Sequence, residues 1–198
     1  MSKEMYDTYQ KITRETSGCD ELPILALGLI GETVEFLDAV DQIYSTYSPD
    51  RQASLVEKVD SAVKEAGDVM WYAARMYDVL EKPFQEWLQY GHVGNFNDPC
   101  TKSFRSKFRM ARSAATVSEH IKKVEGHGHE LERELVFHCI SDIIKDVSFI
   151  LRMLIGKEGD SQDSSLHRAM NANTKKLRSR YPLGFSVEKS VNRSAGDV

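Results

Sequence analysis

At 198 residues, 41% hydrophobic and 28% charged with five prolines, the chain is long enough to bury a core and is excluded from the disordered and collagen-like classes. No apolar run approaches the ~20 residues of a membrane span, the opening MSKEMYDTYQKITRET is polar and unlike a secretion signal, and a formal charge of −4 argues against a general nucleic-acid binder. Cys19, Cys100 and Cys139 contain no C-x-x-C pair and indicate neither a disulfide framework nor a zinc knuckle, so a cytoplasmic protein with reduced thiols and no membrane partner is expected.

The hydrophobic period is helical nearly throughout, with no sustained period-two alternation, so the fold class is all-α. Ser2 caps a short first helix carrying Met5, Tyr6, Tyr9 and Ile12. Pro23 suits the opening turn of a second helix with Leu25, Leu29, Phe36, Val40 and Ile43 on one side, and the turn chemistry of Ser48, Pro49 and Asp50 stops it near Tyr47. A third helix runs from about residue 51 to 80, with Leu55, Val59, Ala62, Ala66, Val69, Ala73 and Met76 inward. Pro83 opens a short helix ending at Gly91. The stretch GHVGNFNDPC, residues 91–100, concentrates Gly, Asn, Asp and Pro and is the best candidate linker. Helical patterns over 102–124 and 129–155 flank Gly126-His127-Gly128, and a last helix over 164–180 precedes an irregular tail.

A faint internal repeat lays LALGLIGETVEFLDAV (25–40) on RMARSAATVSEHIKKV (109–124) and GDVMWYAARM (67–76) on KDVSFILRM (145–153). It pairs Glu35 with Glu119 and Asp68 with Asp146, while Thr116 and Ile143 stand opposite Glu32 and Glu65. Duplication accounts for it, and so does the apolar spacing that any two amphipathic helix pairs share. A duplicated second half would have lost half of its carboxylates.

Charge is segregated along the chain. Residues 20–50 hold Asp20, Glu21, Glu32, Glu35, Asp38, Asp41 and Asp50 and no Lys or Arg, a balance of −7. Residues 168–193 hold Arg168, Lys175, Lys176, Arg178, Arg180, Lys189 and Arg193 against Glu188 alone, a balance of +6. Glu32 and Glu35 lie three apart on the second helix, as do Glu65 and Asp68 on the third, so each pair shares a helix face. An antiparallel hairpin turning at 48–50 brings the two pairs to matching heights. Four converging acids repel unless a divalent cation neutralises them, and an all-oxygen donor set favours magnesium or manganese over zinc. Acids at this spacing also form solvated faces, but Glu32 and Glu35 are set in apolar sequence, LALGLIGETVEFL, without a local Lys or Arg. Gly31 and Gly67 each stand inside a helix, where glycine costs about 1 kcal/mol relative to alanine, so close packing of a neighbouring backbone is expected at both.

These motifs resemble a known family. GLIGETVEFLDAV followed by VKEAGDVMWYAARM is similar to the E-x-x-E and E-x-x-D signature of the MazG-like all-α nucleoside triphosphate pyrophosphohydrolases, a superfamily that includes dimeric dUTPases and dCTPases. NANTKKLRSRYPLGFSVEKS resembles the N-x-x-K-L-x-x-R-Y-P-x-G-F-S ending of its phage and bacterial members, and TYQKITRET resembles their first helix. The resemblance implies hydrolysis of a nucleoside or deoxynucleoside triphosphate to the monophosphate and pyrophosphate, in control of nucleotide pools. It implies a magnesium ion, or manganese, held by Glu32, Glu35, Glu65 and Asp68, and a water deprotonated by a motif carboxylate, for which Glu35 is the expected base. Asn173, Lys176, Arg180 and Tyr181 match the terminal motif and are expected to grip the phosphates, with Lys175 and Arg178 as neighbours; a basic helix face favoured by the helix dipole is the plainer account.

The chain departs from the family in its middle, where residues 81–165 intervene between the E-x-x-D helix and the terminal motif. One domain over 1–198 is expected, comprising a metal-binding helical half (1–90) and a degenerate second half (101–181) that together form a pseudo-dimer. Lys176 and Arg180 would then approach the acids from another helix pair, and an exposed apolar helix face would favour a two-fold homo-oligomer, a dimer first. Trp71 and Tyr72 follow Asp68 directly and either line a base pocket or belong to the core. His120, His127, His129 and His138 read as a loop and helix face rather than as zinc ligands. The competing function is a non-catalytic helical nucleotide-binding or assembly protein that retains the scaffold.

Overall fold

A computed structural model of the chain describes residues 3–46, 52–89, 99–157 and 164–191. Among the described residues the fold is all-helical: α1 (Lys3–Glu15), α2 (Leu22–Thr46), α3 (Gln52–Val79), a 3-10 helix (Phe84–Gln89), α4 (Pro99–His127), α5 (Arg133–Ile155), α6 (Ser164–Arg180) and α7 (Val187–Val191). Among these residues no helix is long and apolar enough to cross a membrane. The expected turn at 48–50 and most of the 91–100 linker lie outside the described residues, as does Ser2.

α2 and α3 pair antiparallel. Lys58 Nζ donates to the Gln42 carbonyl, Glu32 stands beside Asp68, and Gly28 lies under the Tyr72 ring; each of these pairs is symmetric about residue 50, where the turn was expected. The seam is apolar, with Leu25, Leu29, Phe36 and Val40 of α2 and Ala62, Ala66, Val69 and Ala73 of α3 all buried, a sheath of burial that drives the pairing. α4 packs antiparallel on the other side of α2, where Ser118 Oγ donates to the Ala26 carbonyl at 3.1 Å and Lys107 pairs with Asp41. α5 returns along α4. Tyr77 of α3 and Ser141 of α5 share a buried hydroxyl hydrogen bond of 2.7 Å that joins the two hairpins.

α1 is held to the end of α3 by Gln10, whose side chain donates to the Lys82 carbonyl and accepts from the Phe84 amide. Its Tyr6 and Tyr9 rings meet Phe84 edge-on and tilted, respectively. Arg75, 2% exposed, binds Asp78 and Asp20, while Arg14 donates to Asp78 at 2.7 Å, so a charged network pins the connection between α1 and α2 onto α3.

Four expectations change. α4 runs through Gly126 and ends at His127, Gly128 taking a positive φ of 68° there. α5 starts at Arg133 rather than 129, because residues 129–132 are drawn across the α4 terminus, where the Glu132 amide donates to His120 Nε2 at 3.0 Å. The segment after Pro83 is 3-10 rather than α-helical. The tail carries the short helix α7 instead of being irregular throughout. His127, His129 and His138 are exposed, in keeping with the loop and helix-face reading.

Candidate functional site

The buried residues Leu29 and Phe36 set the face of α2, and Glu32 falls on the same side, aimed at α3. On α3, Glu65 and Asp68 flank the buried Ala66 and project toward α2. Glu32, Glu65 and Asp68 each offer a carboxylate oxygen, and these atoms lie within 4.8 Å of one another, the one such group among the described residues able to hold a metal ion. The three are half-buried. Burial first, then the charges of Asp68, Glu35 and Glu65, push the Glu32 carboxyl up to about 7 against the pull of Lys176. Glu65 is raised for the same reasons, burial foremost.

Glu35 stands apart from the three. It is exposed, one turn further along α2, and lines the rim of the same cavity.

α6 crosses α3 at Gly67, where a Cβ would come within 2.8 Å of both the Ala169 carbonyl oxygen and the Asn173 Cβ. Glycine here permits close approach, as expected. At Gly31 the expectation fails: nothing lies within 4 Å of the Cβ position. The Gly67 crossing brings Lys176 onto both oxygens of Asp68, one at 2.6 Å, and Asn173 Nδ2 donates to Asp68 Oδ1 at 2.6 Å. Asn173 is 1% exposed and faces Asp68 from behind, where the Tyr9 hydroxyl reaches its Oδ1 at 3.2 Å and the Gly67 carbonyl at 3.3 Å. Asn173 was expected to grip a ligand; it is instead buried against an acid.

A cavity of about 450 Å³ opens over the acids. Glu32, Glu35, Glu65 and Asp68 line one side, Lys176, Arg180 and Tyr181 another, and Trp71 and Tyr72 a third. Of the residues expected to hold metal, phosphate or base, all except Asn173 line this one cavity, with Lys176 and Arg180 supplied by α6 where it packs on α3. Lys175 and Arg178 are exposed elsewhere on α6. Trp71 and Tyr72 combine both of their expected roles: they are half-buried against the core, meet edge to face at 4.9 Å, and still present surface to the cavity. The Trp71 indole N–H is taken by Thr16 Oγ1 at 3.1 Å.

Sequence reasoning missed the wall made by the tail. Phe185, its amide donating to the Glu15 carbonyl at 3.2 Å, lies over Gly18, where a Cβ would come within 2.3 Å of the ring. Phe185 and Ser190 close the cavity beside Tyr181. The glycine at 18 and the turn at Pro182 to Gly184 were the available signals. Lys64, also on the lining, pulls the Glu65 carboxyl down against the larger effects that raise it.

The proposed repeat partners behave differently. Asp146 is buried and doubly bound by Arg109, at 2.7 and 2.5 Å, whereas Glu119 is exposed and paired with Lys122 and Lys123. They form no second acidic cluster. No protein-family model, curated protein or solved structure matches the chain.

Proposed function

We propose that the chain is a magnesium-dependent nucleotide pyrophosphohydrolase of the MazG-like type, converting a nucleoside or deoxynucleoside triphosphate and water to the monophosphate and pyrophosphate in control of nucleotide pools. The observation that carries this reading is the meeting, in one cavity, of three clustered carboxylates with the cations of α6. Three carboxylates whose oxygens lie within 4.8 Å of one another, with Glu32 pushed up to about 7 by burial first and by its acidic neighbours second, suit a hard divalent cation, magnesium or manganese, held by Glu32, Glu65 and Asp68 with Glu35 at the rim. When bound, the ion supplies neutralisation of phosphate charge.

The chain's own groups do the rest. Arg180 and Lys176 donate to phosphate oxygens, Lys176 exchanging Asp68 for the ligand. Glu35, exposed and beside the acids, takes the proton of the attacking water at its carboxylate. Trp71, Tyr72, Tyr181 and Phe185 offer ring faces for a base. The α2–α3 and α4–α5 hairpins are read as the two halves of a pseudo-dimer, the second having lost the counterparts of Glu32 and Glu65 and holding Asp146 in a pair with Arg109.

A second reading, a nucleotide-binding or assembly protein without catalysis, is favoured by the ion pair that already occupies Asp68. Incubation with each of the eight common nucleotides and magnesium separates the two. Pyrophosphate from at least one of them, lost in Glu35→Gln and Asp68→Asn, is expected; binding without pyrophosphate from any overturns the hydrolase.

A further inference from the structure

Two aromatic rings of the cavity wall, Tyr72 and Phe185, each rest on a glycine. Leu25, Glu32 and Glu35 line the cavity from α2, and Gly28 falls on the same face between them. A Cβ at Gly28 would meet three Tyr72 ring atoms within 2.7 Å, and one at Gly18 would meet three Phe185 ring atoms within 2.9 Å. Carbon atoms in contact rest about 3.5–4.0 Å apart, so beside any other residue each ring has to move by about 1 Å or more.

The backbone does not require glycine at either position. Among the described residues the glycines with positive φ are Gly128 and Gly184, and inside α2 an alanine would favour the helix. What Gly18 and Gly28 share is the ring that lies on each of them, and the two rings belong to different walls of one cavity. Glycine lets each ring withdraw onto the backbone instead of standing in the cavity.

The place of these rings relative to the acids matters. Tyr72 lies one turn past Asp68 on α3 and Gly28 one turn before Glu32 on α2, about 6 Å along the antiparallel pair. A nucleotide whose phosphates reach the acids and Lys176 puts its base beyond that level. There Trp71 meets Tyr72 at 4.9 Å and Tyr181 meets Phe185 at 5.3 Å between ring centres. Ile24 and Phe185 on the lining are 49% and 36% exposed, apolar surface that a flat ring would cover.

We infer that Gly28 and Gly18 are specificity-determining residues which, by seating Tyr72 and Phe185 against the backbone, size this end of the cavity for the two-ring base of a purine nucleotide. The inference rests on the reading of the cavity as a nucleotide site. Rings withdrawn on two walls leave room that a one-ring base does not need, and a methyl group at either glycine drives a ring into that room. Neither glycine touches the phosphates, so the effect falls on the choice of base.

The test is isothermal titration of the purified full chain, with magnesium, against the α,β-methylene analogues of dGTP and dCTP, neither of which can release pyrophosphate, with thermal melts as the control for folding. The guanine analogue is expected to bind at least as tightly as the cytosine analogue. Gly28→Ala and Gly18→Ala are each expected to weaken the guanine analogue at least about tenfold more than the cytosine analogue. Removing the displaced ring, in Gly28→Ala/Tyr72→Leu and Gly18→Ala/Phe185→Leu, is expected to return part of that difference, which a general loss of structure would not do. If Gly28→Ala does not fold, Gly18→Ala, outside the helices, carries the same test. Losses equal for the two analogues, or an unaltered chain that prefers the cytosine analogue, overturn the inference; binding of neither analogue overturns it together with the nucleotide site. Pyrophosphate release from hydrolysable nucleotides is measured separately. Its absence beside selective losses removes the hydrolase and leaves the inference standing, and its presence beside unselective losses does the reverse.

Discussion

Glu32 and Tyr9 show how much of the site rests on single buried groups. Glu32 holds its proton in the folded chain up to about pH 7, against an ordinary value of 4.5, because burial and three neighbouring acids oppose its charge. A group raised by folding contributes stability that is complete below its unfolded value and is lost as pH climbs through the folded one. In chelator, the protein is therefore expected to be less stable at pH 8 than at pH 5, and Glu32→Gln to remove that part of the loss. The gain at pH 8 is about 1–2 kcal/mol once solvent screening is allowed for. Urea midpoints at the two pH values measure it, and equal pH dependence in both proteins would contradict the account. Tyr9 stays a neutral donor at any working pH, since burial holds its hydroxyl well above 10. It fixes which end of the Asn173 amide faces Asp68. Tyr9→Phe leaves a buried acceptor short of a donor and is expected to cost about 1–3 kcal/mol, read by denaturant unfolding. Asn173 itself illustrates what one sequence hides: its residue type and spacing were visible, but its burial follows from a crossing with a helix about a hundred residues earlier.

At the scale of elements, the α2–α3 hairpin was legible because the apolar period, the turn residues and the two acidic spacings agree on one register. The α6 crossing was half legible. Its cations stood out by charge, whereas their destination depended on Gly67, whose missing side chain lets the backbones close. Gly67→Ala would favour an isolated helix, yet here the added Cβ meets the Ala169 carbonyl at 2.8 Å. The expected result is a net loss of about 1–3 kcal/mol as α6 is pushed outward, shown by a lower melting temperature. The connection between α1 and α2 was opaque. Arg75 reads as one more surface charge on α3, and nothing local announces that Asp20 will cover it. The α5 start was misjudged for a similar reason, the His120 hydrogen bond being a tertiary contact rather than a cap.

At the scale of the whole molecule, acids and cations far apart in sequence share one cavity within a chain. Mixing Asp68→Asn with Arg180→Ala after reversible dissociation is accordingly expected to restore no pyrophosphate release, because neither chain carries a complete set. Recovered activity would show that α6 is exchanged between subunits. The charge segregation read from composition therefore had a structural counterpart, but the path connecting its two ends passes through the middle of the chain, for which local pattern offers no map.

The pair Asp68–Lys176 spans 108 positions, and that separation sets an order of events during synthesis. The acids leave the ribosome first and fold into a hairpin whose carboxylates crowd one another, while the cation that offsets them is still untranslated. Loop-closure cost grows only logarithmically with length, so the wait adds little to the final free energy, although distant contacts form slowly. A nascent or prematurely terminated chain thus carries the acidic half of the cavity without its basic wall. The cavity is completed only once α6 and the segment after it have been made and packed on α3, so its appearance reports that contacts more than a hundred residues apart are in place.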